Sequence, residues 1–137
     1  MNLKSRLAIL FSFLVILNSC VLDEDLDPIS GDSRDKFLGT WLFSESPASR
    51  STSFTVTISY DPSNSSQVLL KNMGNFGYSV SAYGIVTSNN IYIPSQEIYP
   101  GMTISGSGAM SSSDRMDWEY TITGGGDSED FVAVATK

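Results

Sequence analysis

Three segments of this chain alternate apolar and polar residues with a period of two. Phe54, Val56, Ile58 and Tyr60 recur with Ser and Thr between them, and the same spacing links Phe76, Tyr78, Val80 and Ala82, and again Met116, Trp118, Tyr120 and Ile122. Successive side chains of a strand point to opposite faces, so a period of two marks strands with one face in a core and one in water. A helix would need apolar residues three and four apart. After residue 20 no stretch has that period, and only a short turn at 33–36 is expected. The fold class is therefore all-β.

Shorter strands are expected at 40–44, 67–72, 90–94, 102–110 and 130–136. Turn-forming residues separate them: Asp61-Pro62-Ser63-Asn64, Asn89-Asn90, Tyr99-Pro100-Gly101, Ser111-Ser112-Ser113-Asp114 and Gly124-Gly125-Gly126-Asp127. About eight strands joined by short turns predict an antiparallel up-and-down meander. Eight such strands can close into a small barrel, which leaves no open sheet edge. A two-sheet β-sandwich is the alternative that periodicity leaves open. The inward set is bulky: Phe54, Ile58, Tyr60, Phe76, Tyr78, Met102, Ile104, Met116, Trp118 and Tyr120. Side chains of that size predict a mostly filled interior with at most a shallow mouth.

The first residues have another character. Lys4 and Arg6 precede an apolar run from Leu7 to Leu17, broken only by Ser12. That run is about half of the ~20 residues that span a bilayer as a helix. A basic start, a short apolar middle and a small-residue end form the signal-peptide pattern. Leu17-Asn18-Ser19-Cys20 resembles a bacterial lipobox, in which the cysteine sulfur is the nucleophile that takes up a diacylglyceryl group. The resemblance implies that residues 1–19 are removed and that Cys20 carries the lipid. Residues 20–35 are acidic and read as a tether. Within it, Asp23, Glu24 and Asp25 resemble the acidic export signal of Bacteroidota surface lipoproteins, which implies the outer face of the outer membrane. Residues 36–137 form the folded domain.

Loss of residues 1–19 takes away two of eight basic residues and none of fifteen acids, so the net charge moves from −7 to −9. An acidic surface repels phosphate backbones, and no nucleic-acid partner is expected. The chain has no histidine, and Cys20 is its one cysteine. Histidine-based triads and metal sites are excluded, and with Cys20 acylated so are disulfides, thiolate-zinc sites and cysteine nucleophiles. No cofactor, no metal and no enzyme activity are expected, and the protein is expected to be monomeric.

Phe37-Leu38-Gly39-Thr40-Trp41 resembles the opening of the lipocalin/calycin group, where a Gly-x-Trp motif starts the first strand and the tryptophan closes one end of the barrel. Gly39 and Trp41 match it. Over residues 36–137 the chain is similar to small lipocalin-like lipoproteins of gut Bacteroidota, through that start, Ile93-Pro94-Ser95-Gln96, Ile104-Ser105-Gly106-Ser107-Gly108 and Trp118-Glu119-Tyr120-Thr121-Ile122. The resemblance informs fold and location more than activity. Lipocalins also place a late Arg or Lys over the motif tryptophan; Arg115 and Lys137 are the late basic residues here, and neither is an obvious match.

Three groups of residues have a chemistry to weigh. Tyr83, Tyr92 and Tyr99 lie near turns beside Asn and Ser and could stack on a sugar or a protein partner, or simply cap the barrel ends. Asp127, Glu129 and Asp130 after three glycines would suit calcium only if gathered, and their spacing reads instead as a solvated hairpin. Asp114, Asp117 and Glu119 read as an outward polar face rather than paired catalytic acids. The functional expectation is a non-catalytic surface binding module for a small molecule, glycan or peptide. The alternative is a protein-interaction module, an accessory subunit or protease-inhibitor-like protein, docking through a rigid loop at 95–102.

Overall fold

The computed structural model describes residues 31–46 and 52–137. Among these lie eight strands: β1 (Gly39–Glu45), β2 (Thr52–Tyr60), β3 (Gln67–Lys71), β4 (Ser81–Thr87), β5 (Asn90–Tyr99), β6 (Met102–Ser112), β7 (Arg115–Gly124) and β8 (Asp127–Thr136). Each pairs antiparallel with the next, and β8 returns to β1, with Leu42 opposite Thr136 and Glu45 opposite Ala133. The sheet is a closed up-and-down barrel, not a sandwich. The expected signal peptide, Cys20 and residues 21–30 of the tether lie outside the described residues.

Strand alternation sets the interior. Trp41 and Phe43 of β1, Phe54, Val56 and Ile58 of β2, and Met116, Trp118 and Tyr120 of β7 are all buried. A closed eight-stranded barrel has a fixed internal volume, so large side chains must face small ones. Here Gly108 stands opposite Trp118 and Gly106 opposite Tyr120, while Ala133 and Ala135 of β8 flank Trp118 and Met116. A Cβ on Gly108 would lie 2.2 Å from Trp118 Cε2, and one on Gly106 would lie 2.4 Å from Tyr120 Cβ. Thus the Ser-Gly-Ser-Gly run of β6 is the space that the two β7 rings occupy. Phe43 packs on Trp118 with centroids 5.5 Å apart, and Phe131 stacks on Tyr120 at 5.1 Å.

Three sequence expectations are corrected. The period at 76–82 is not a strand. Asn72, Gly74, Asn75 and Gly77 all have positive φ, which curls the chain through a 3-10 turn at Met73–Asn75. Asn72 fixes this loop by donating to Thr55 O at 2.8 Å and accepting from Gly77 N at 2.6 Å. Tyr78 is accordingly 57% exposed, bonded to Thr55 on the outer wall, and the true fourth strand begins at Ser81. Tyr60 ends β2 at the rim, 43% exposed beneath the Arg34 guanidinium. Residues 95–102 are not one loop, because β5 runs on to Tyr99 through two bulges that break the alternation.

The compact unit runs from Asp32 to Lys137. Arg34 is buried, paired with Asp32, and donates to Asn64 O at 3.1 Å and Gln67 O at 3.0 Å. It clasps the segment before β1 to the β2–β3 turn. The Asp32 carboxyl, bonded by the Arg34 side chain and backbone, is held down to about 2.

The ladder between β4 and β5 is short. Only Ile85–Thr87 of β4 pair with Asn90–Tyr92 of β5. Beyond them stands Pro94, which has no N–H to donate. The Gln96 side chain replaces the missing strand contacts: its Oε1 accepts from Tyr83 N at 2.9 Å, and its Nε2 donates to Tyr83 O at 2.8 Å.

Replacing Gly108 with Ala should push the Trp118 ring off its seat. The expected loss is about 1–3 kcal/mol, the range for overpacking a core. Denaturant unfolding checks it. Ser107→Ala, on the exposed face of the same strand, should change stability little.

Candidate functional site

The two ends of the barrel differ. At one end lie the start of β1 and the end of β8. The 3-10 turn Asp35–Phe37 leads into Gly39, whose φ of +114° suits a residue without Cβ. Trp41 is fully buried and its Nε1 donates to Phe37 O at 2.7 Å. Lys137 crosses above, with Cε 3.2 Å from where a Gly39 Cβ would sit and Nζ 4.6 Å from the centre of the Trp41 ring. Lys137 is thus the late basic residue that packs on Trp41. Its ammonium lies over the motif tryptophan, and a weak late Lys at the chain's end gave no spacing by which to find it. Arg115 pairs instead with Asp117 on the outer wall. With Phe37 and Trp41 filling the opening, this end is sealed.

The opposite end gathers the 3-10 turn at Met73–Asn75, the β5–β6 turn and the β7–β8 hairpin. It holds an open depression of about 500 Å³. Its apolar wall is Phe76, Met102, Ile122 and Phe131, with Gly74 and Gly124 leaving room and Asp127, Ser128 and Glu129 on the rim. Met102 could be named from the sequence as inward, and so could Phe76, though for the wrong reason. Phe131 was hidden in a β8 segment whose first residues are all polar.

Alternation sorts the acids. Glu129 stands opposite Ile122 and shares the inward parity of Phe131, whereas Asp130 points outward and accepts from Thr121 Oγ1 at 2.6 Å. The three acids of the hairpin are therefore not brought together, and no metal-holding group of three His, Cys, Asp or Glu exists among the described residues. Asp117 and Glu119 are outward and exposed.

Sequence reasoning missed Glu45. It occupies the third inward position of β1 after Trp41 and Phe43, and it is only 7% exposed. It stands opposite Ala133, one inward step from Phe131 in the wall of the depression. Burial, and next the Glu129 charge, push its carboxyl above the usual carboxylate range. Two further polar groups face the interior from β7: Trp118 Nε1 and the Tyr120 hydroxyl are buried with no hydrogen-bond partner among the described residues.

The three tyrosines fall apart. Tyr83 lies within β4 and Tyr92 within β5, and both project from the outer wall. Ile85 stands opposite Tyr92, and Leu69 opposite Tyr83, so Tyr83 and Tyr92 are diagonal neighbours in one apolar patch. Tyr99 sits at the β5–β6 turn, at the mouth end, apart from the other two. A second depression, of about 360 Å³, lies over the small residues Ser105, Gly106 and Ser107 on the outside of β6. Glu119, Thr121 and Asp130 also border it.

No family model matches this chain, and no curated protein matches it in sequence.

The burial of Glu45 gives a signed expectation. Its folded-state carboxyl is raised above the model-peptide value of 4.5, so the folded protein holds this proton more tightly than the unfolded chain. Stability from this group is greatest below that value and falls as pH rises through the raised one. Glu45→Gln should therefore raise the thermal midpoint relative to wild type at about pH 7 and leave it nearly unchanged at about pH 4. Paired melts at the two pH values check the difference.

Proposed function

We propose that this is a lipid-anchored, non-catalytic binding protein that holds a small molecule, or the end of a glycan or peptide, in the open end of its barrel. The observation that carries the reading is the asymmetry of the ends. One is filled by Phe37 and Trp41, and the other keeps a depression of about 500 Å³ with apolar walls and a polar rim. That volume is typical of ligand sites, which range over ~300–1,000 Å³ and combine apolar lining with a few polar groups. The interior below is packed with side chains, so the ligand sits in the mouth rather than deep in the lumen. The Gly39, Trp41 and Lys137 set supports kinship with lipocalin-like proteins. The Leu17-Asn18-Ser19-Cys20 motif supports a lipid anchor on Cys20, and the acids behind it support display on the outer membrane surface.

A second reading has its own observation. Leu69, Tyr83, Ile85 and Tyr92 place an apolar, aromatic patch on the outer wall, and Tyr92 is half exposed. Tyrosine is enriched at the centres of protein interfaces. A protein-interaction module would use this patch rather than residues 95–102.

Native mass spectrometry of the protein from its own cells tests the first reading. A bound small molecule that leaves on denaturation, and is lost when Phe131 is replaced by Asp, is the expected result. A protein partner lost on Tyr83→Ala/Tyr92→Ala instead would favour the second. For the anchor, Cys20→Ser should abolish labelling by a fatty-acid analogue and release the protein from membranes, and protease added to intact cells should digest the wild type.

A further inference from the structure

We draw no further inference here: the strongest candidate, the apolar and aromatic patch of Leu69, Tyr83, Ile85 and Tyr92 on the outer wall of β3, β4 and β5, carries nothing because nothing in the structure shows what covers it.

Discussion

The pairing of β1 with β8 is the constraint on which the rest of the molecule depends. Four residues on each strand make it, Leu42 to Glu45 against Ala133 to Thr136. Without it the meander would be an open sheet with two bare edges. With it, the interior becomes a closed volume, and each inward side chain must fit what the others leave. The glycines of β6 and the alanines of β8 are explained this way. They are small because Trp118, Tyr120, Met116 and Phe43 are large and face them.

The same closure creates two ends, and their chemistry differs. At the sealed end three polar groups are paired: Trp41 with Phe37, Arg34 with Asp32 and two carbonyls, and the Lys137 ammonium with an aromatic face. These contacts all favour the folded state. Towards the other end, Glu45 is buried where its charge is disfavoured, and the Tyr120 hydroxyl has no partner among the described residues. A protein selected for stability alone would have an apolar residue in place of Glu45. Departures from that rule concentrate at sites that act on something else.

The barrel was legible in the sequence wherever alternation followed the pleat without interruption, as in β2 and β7. It was lost where the backbone leaves regular geometry. The apolar spacing at 76–82 reads as a strand, but positive φ at Asn72, Gly74, Asn75 and Gly77 curls the chain into a loop there. The second half of β5 was hidden because bulges near Pro94 and Glu97 shift the parity of everything beyond them. The candidate site was less legible than the fold. Met102 and Ile122 lie on patterned strands, but Glu45 reads as an ordinary polar end to β1. Only the register shows that it faces inward beside Phe131. The outer tyrosines were visible by type, yet which of them are neighbours depends on pairings between β3, β4 and β5 that no local pattern contains.

The Gln96 carboxamide gives this barrel an uneven wall. Around most of the circumference, parting two strands means breaking a row of backbone bonds in concert. Between β4 and β5, on the side towards the mouth, the same parting needs one side chain to rotate away from Tyr83. Side-chain rotations run on far shorter timescales than the disruption of a ladder. At this seam the side-chain bridge stands where a backbone ladder would otherwise continue towards the mouth.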